Sequence, residues 1–262
     1  MRVMSCGYLS FAIAMMALGV LGLTYGDFAL VWQEVPKWVP ARQAIAYACA
    51  ALMLAGGLGL LWPRTSGAAA AVLLVYLSLW LLLLRVPKLI TAPLEEVSWS
   101  GCGENAIMVA AAWALFAVRN APRPAVLLYG LALFPCGLAH MVYSKASADF
   151  VPAWLPWHLG WAYLTGAAFM AAAAAILLQT VYTRLAIALS AVMMGAFTLL
   201  IWLPAVVAAP RDRFSWTGLC ISAALTASGW ALADTTGCLA SSAAPRSAAA
   251  PAQRPRAAAR PG

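Results

Sequence analysis

The chain has 262 residues, 65% of them hydrophobic and 9% charged, with a formal net charge of +8. A soluble domain carries about 25% charged residues, and this composition cannot supply the polar surface such a domain shows to water. It excludes a soluble enzyme and implies an integral membrane protein. The positive charge is spread over connections and a tail, with no soluble basic domain, so nucleic acid is not an expected partner.

A bilayer-spanning helix needs about 20 apolar residues. In chain order the candidates are Tyr8–Gly26, Gln43–Trp62, Gly67–Leu84, Glu104–Val118, Ala125–Tyr143, His158–Thr180, Leu185–Leu203 and Trp216–Ala233. They are apolar all round rather than striped, as spans are and surface helices are not. The fourth is the shortest, with a possible earlier start at Trp99. No small-x-small cleavage site follows the first, so it is expected to be retained rather than removed as a signal peptide. After Asp234 the sequence turns to Ala, Pro and Arg, and residues 237–262 are expected to form a disordered tail.

One stretch occurs twice. "VPKWVPARQAIAY" (Val35–Tyr47) and "VPAWLPWHLGWAY" (Val151–Tyr163) match at an offset of 116 residues. At an offset of 117, Pro93 pairs with Pro210, Ser98-Trp99 with Ser215-Trp216, Gly101 with Gly218, and Trp113-Ala114-Leu115 with Trp230-Ala231-Leu232. Arg64 matches Arg184 across a small insertion. The pattern predicts an all-α polytopic protein of eight transmembrane helices, arranged as two parallel four-helix repeats: residues 1–120 and 121–236. An even number of spans returns the chain to its starting side, which gives the two units the same orientation. Small residues are expected where the units meet, with runs at Leu54–Leu61 and Gly166–Ala175 as candidates. The V-P-x-W-x-P element interrupts regular helix and presents a Trp suited to the headgroup region. It is read as a surface anchor or, alternatively, as the rim of a binding site.

Lys and Arg number nine on the side of the termini and seven on the far side, a small excess that favours cytoplasmic termini in an inner membrane. The far-side connections are the long ones, rich in Pro and Trp, and hold most of the acidic residues, so any site is expected there.

The candidate ligand-binding residues are Arg42, Glu104, Asn105, His140 and His158. Arg42 and His158 both follow the repeated element by two residues and are read as facing a shared cavity or, alternatively, as interface anchors. His140 and His158 are the only histidines. They are read as hydrogen-bonding groups of a polar pocket, as interfacial residues, or, least favoured, as ligands of a haem iron or metal. Glu104 and Asn105 are expected to open the fourth span, with the carboxylate favoured by the helix dipole or marking a functional site inside the membrane. Its counterpart in the second repeat is Ile221. Glu95 and Glu96 read as a solvated loop pair, and Asp27 and Glu34 as partners for Lys37 or Arg42. Of the six cysteines only Cys102 is expected in a polar connection; the rest read as packing residues. No hydrolase, P-loop, zincin or Rossmann signature is present.

"GLAHMVYSKASADFVPAWLPWHLGWAYLTGAAFMAAAAAIL" and the first-half stretch "GVLGLTYGDFALVWQEVPKWVPARQAIAYACAALMLAGGLGLL" resemble the DoxX-like family of bacterial integral membrane proteins. The resemblance covers roughly residues 7–234. It rests on four-span units with a Gly-rich second helix and an Arg after it. It implies a non-catalytic membrane partner of a redox protein, or a lipid- or quinone-binding subunit. The alternatives are a quinone-linked oxidoreductase component near Arg42, Glu104, His140 and His158 and, less favoured, a small transporter. No cofactor is evident in the sequence, and quinone is the one the resemblance suggests.

Overall fold

The computed structural model describes residues 5–117 and 121–242, with side chains through residue 236. Among these residues there are helices and turns but no strand. The helices are α1 (Cys6–Tyr25), α2 (Arg42–Leu61), α3 (Ser66–Trp80), α4 (Val86–Thr91), α5 (Glu96–Phe116), α6 (Arg123–Val142), α7 (Ser144–Asp149), α8 (His158–Leu177), α9 (Thr183–Phe197), α10 (Leu203–Ala208) and α11 (Arg213–Ser242). A five-residue π-helical segment, Leu81–Arg85, joins α3 to α4, and Thr198–Trp202 joins α9 to α10 in the same way. Among the described residues seven helices are long and apolar enough to cross a membrane: α1, α2, α3 through α4, α6, α8, α9 through α10, and α11. The chain is therefore a polytopic helical protein of the multi-pass type. The helix α5 has the length but not the composition, because Glu104 and Asn105 sit well inside it.

The two π segments have a common cause. Pro87 and Pro204 stand at the start of α4 and α10 and have no N–H to continue the α-helical ladder. Ahead of each, one backbone bond lengthens: Val86 N–H reaches Leu81 O, and Leu203 N–H reaches Thr198 O. Such a bulge rotates the side chains that end it. Here those are Arg85 and Trp202, which lie against Gly101 of α5 and Gly218 of α11.

The connections 26–41, 92–95, 143–157 and 209–212 lie at one end of the bundle and are tied to each other. Asp27 pairs with Arg42 and, at 3.3 Å, with Arg213. Lys88 pairs with Glu34 and lies 3.6 Å from Glu95. The Tyr143 hydroxyl donates to Leu94 O. The expected pairing of Asp27 with Arg42 is thus present, whereas Glu34 takes Lys88 rather than Lys37. Glu95 is drawn toward the same lysine instead of standing free in a loop.

Local geometry recurs at matching places. Ala41 and Trp157, each just before α2 and α8, adopt the left-handed conformation with φ of 51° and 59°. The Trp99 indole donates to Pro93 O at 2.7 Å, and Trp216 donates to Pro210 O at 2.9 Å. In both repeated elements the Trp is exposed, Trp38 and Trp154 alike.

Packing corrects several expectations. The small-residue runs do not join the two halves of the chain. Gly57 of α2 lies so close to α1 that a Cβ would come within 2.6 Å of Ala12 O, and Gly166 of α8 backs onto Gly137 of α6. The halves meet instead through α5 against α6 and α11, and through α1 against α11. A Cβ on Gly103 of α5 would come within 2.7 Å of Ala132 O of α6, and one on Gly7 within 2.3 Å of Ala231 N of α11. Close backbone approach at small residues remains the physical device, since lipid gives helices no hydrophobic reason to associate. The helix α5 begins at Glu96, so Glu104 is two turns inside it rather than at its N-terminus, and Cys102 is a half-buried helical residue rather than part of a polar connection. The helix α11 continues past Thr236 to Ser242, into the segment expected to be tail. The rest of that tail lies outside the described residues.

Candidate functional site

A cavity of about 520 Å³ opens between the two halves at the end that carries the long connections. One wall comes from the N-terminal half: Leu30–Trp32, Arg85, and the α5 face made by Ser100, Gly101, Glu104 and Ile107. The facing wall comes from α6, α8, α9 and α11 and is mostly ring-bearing, with His140, Phe169, Phe197 and Trp202. Phe150, Trp154 and Phe214, all exposed, stand at the mouth. Trp154 thus gives one copy of the repeated element a place on the rim of the site.

Arg85 is the central charge. It is 3% exposed, although Arg is almost never fully buried unless paired. The π segment aims its side chain across Gly101, where a Cβ would sit 2.6 Å from Nη1. Nη2 donates to Val31 O at 2.6 Å and to Trp32 O. Nη1 has no hydrogen-bond partner. Glu104 lies on the same side of α5 as Gly101, one turn further along, since residues three apart on a helix are neighbours. It makes no ion pair with the guanidinium, although both line the cavity.

On the facing wall His140 is held in a fixed orientation. Its Nδ1 lies 2.9 Å from Thr165 Oγ1, and that hydroxyl already donates to Trp161 O at 2.9 Å. A hydroxyl has one proton to give, so the tautomer with Nδ1–H donating is the one that satisfies all three groups at once. The ring stacks on Phe197 at 6.0 Å and meets the edge of Phe169 at 5.6 Å. Behind them Thr198 and Ser222 join their hydroxyls at 2.8 Å, which leaves little free polarity on this wall.

Of the five residues singled out in the sequence, the structure brings two, Glu104 and His140, to the cavity. Arg42 is spent elsewhere: it pairs with Asp27 and covers the Phe28 ring at 5.1 Å. Asn105 points away from the cavity and is 1% exposed, with Oδ1 unpartnered. His158 opens α8, two turns before Thr165, or roughly 10 Å along the axis. His140 and His158 therefore do not converge on one iron. Among the described residues no group of three His, Cys, Asp or Glu is arranged to hold a metal ion.

Arg85 was not singled out from the sequence, where "LLLLRVPK" reads as an ordinary cation at the end of a span. The usable signal lay in the duplication. Arg85 and Glu104 match Trp202 and Ile221 at the same offset of 117, so both polar members stand where the other copy is apolar.

No protein-family model, no curated protein and no solved structure matches the chain.

Proposed function

We propose that this chain is a DoxX-like protein of the bacterial inner membrane, and that it serves as a non-catalytic binding subunit. It holds a small lipid-soluble molecule, a quinone or a lipid, and presents it to a redox partner. The cavity between a charged wall and a ring-bearing wall carries this reading: largely apolar, pre-formed and furnished with few polar groups, it has the character of a small-molecule site. Two tandem four-helix units in the same orientation form the scaffold, with α5 as an eighth span and both termini cytoplasmic. Support for the duplication comes from the matched segment lengths. The helix, π segment and short helix of Ser66–Thr91 have the same 15, 5 and 6 residues as those of Thr183–Ala208.

A second reading, a quinone-linked oxidoreductase component, is favoured by Glu104 and His140, two groups able to exchange protons, on opposite walls of the same cavity.

The test is purification of the full chain in mild detergent, solvent extraction, and mass spectrometry of what is released. The expected result is one lipid-soluble species at near-stoichiometric amount. Ser147→Trp, which places an indole into the cavity, should abolish its retention while the protein still elutes as a folded species. Release of bulk phospholipid alone, in equal proportion from both proteins, overturns the reading. Reduction of an added water-soluble quinone by the chain with its co-purifying redox partner, supplied with that partner's electron donor, would favour the second reading over the first.

A further inference from the structure

The two polar groups on the charged wall restrict what the cavity can hold, and the restriction rests on the binding role proposed above. Arg85 Nη1 is a buried donor without an acceptor, while Nη2 is saturated by two backbone carbonyls. Glu104 receives no hydrogen bond and makes no ion pair, one helical turn from the Gly101 over which the guanidinium lies. Arg85 lines the cavity but its free Nη1 is sealed from it, so the group the wall offers to an occupant is the Glu104 carboxylate. A buried polar group left without a partner is costly, and a charged one more so. From these observations we infer that the molecule held in the cavity carries a hydroxyl that donates to Glu104.

Other head groups fail on one side or the other. A carbonyl turns lone pairs toward the carboxylate, so of a quinone couple it is the quinol that fits this wall. An anionic head places a like charge beside Glu104, and an ammonium places one beside Arg85. A hydroxyl has an O–H to give, remains neutral, and completes Glu104. Apart from these two residues the only charged lining group among the described residues is Glu96. At the matching places the second half carries Trp202, whose ring lies over Gly218, and Ile221. The helix architecture does not require charge at either place, and the polar pair is a property of this wall.

The probes are 4-nonylphenol and its methyl ether, 4-nonylanisole, which share shape and apolarity but differ in the O–H. Thermal unfolding of the full chain in dodecyl maltoside is followed against each. Ligand binding to the folded state raises the midpoint by mass action. The phenol should stabilise the protein at concentrations at least about tenfold below those the ether requires, as expected when a site built to hydrogen-bond an O–H rejects the analogue lacking it. In Glu104→Ile, which installs the residue of the second half, the two probes should become equivalent. Equal stabilisation of the unmodified protein by both probes overturns the hydroxyl and leaves the cavity in use. A phenol preference that persists in Glu104→Ile overturns the assignment to this wall. Stabilisation by neither probe overturns the inference, and whether the binding role falls with it is decided separately by the retained molecule and its sensitivity to Ser147→Trp.

Discussion

The two halves of the chain treat the same place in opposite ways. Before its repeated element the N-terminal half turns Phe28 and Trp32 inward, 2% and 1% exposed. Phe28 meets Trp80 edge-on at 5.6 Å, and Gln33 closes the cluster through the Tyr76 hydroxyl at 2.7 Å. The matching positions of the C-terminal half, 116 residues on, are Ser144 and Ala148 of the short helix α7. One half fills its interior with two large rings; the other substitutes a hydroxymethyl and a methyl, and an open cavity lies beside it. The two copies thus close the same place differently: Ser144 and Ala148 are themselves buried and off the cavity, while Trp32 stands on its wall.

The largest expected effect comes from breaking the filled half. Trp32→Ala should destabilise the protein by about 3 kcal/mol, as truncation of a buried aromatic does, measured by denaturant unfolding in a fixed detergent. Trp154→Ala, at the cavity mouth and 70% exposed, should stay within about 0.5 kcal/mol. Comparable losses in the two variants would end the distinction between a filled and an open half.

A smaller effect sharpens the comparison. Gly101→Ala and Gly218→Ala place a methyl at equivalent points, 2.6 Å from Arg85 Nη1 and 2.1 Å from the Trp202 ring. The guanidinium is fixed by the Val31 and Trp32 carbonyls, so Gly101→Ala must break those bonds or bend α5, at about 2 kcal/mol, within the usual range for overpacking. Trp202 borders open space and can swing into the cavity, so Gly218→Ala should cost about 1 kcal/mol or less. It should also shrink the site, visible as weaker retention of the bound molecule. A reversed order of cost would mean that Arg85 yields more easily than Trp202.

These contrasts also mark what could be read from the sequence. The paired Pro, Trp and Gly positions were plain, because a duplication repeats the residues that fix local geometry, and the hydrogen bonds from Trp99 and Trp216 bear this out. Seven spans were legible as apolar runs. The start of α5 was not, because "LEEVSWSGCGEN" is polar enough to pass for a connection. Its polarity faces the cavity and the bundle interior instead of water. The role of Arg85 was hidden for another reason. Its acceptors are backbone carbonyls 53 and 54 residues away, and carbonyls carry no sequence signal. Arg42 read either as a cavity residue or as an interface anchor because its spacing from the repeated element matches that of His158, and it is the nearby acid, Asp27, that decides where it points.

Asp27 supplies the smallest test and the one that reports on how the halves are joined. It lies outside the spans and links the connection after α1 to both Arg42 and Arg213, while Arg213 also donates to Phe28 O at 2.6 Å. Partial burial works to raise the carboxyl pKa, but the Phe28 N–H at 2.8 Å and the two guanidinium groups outweigh it, so the value falls below the ordinary 3.8. An acid whose folded-state pKa is depressed takes up its proton more readily when unfolded. The stability it contributes is therefore complete above about pH 4 and lost as the pH falls through the lowered folded value. Asp27→Asn should cost about 1 kcal/mol at neutral pH, a typical figure for a charge-assisted contact near the surface, and should flatten that part of the acid limb. The matching position in the second half is Tyr143, whose hydroxyl donates to Leu94 O. Tyr143→Phe removes a hydroxyl that bonds a backbone carbonyl rather than an ion pair, so its cost should add no acid limb. Parallel acid limbs for the unmodified protein and Asp27→Asn would show that the ion cluster does not hold α11 to the N-terminal half, and would leave that joint to the close approach of Gly7 and Ala231 at the opposite end.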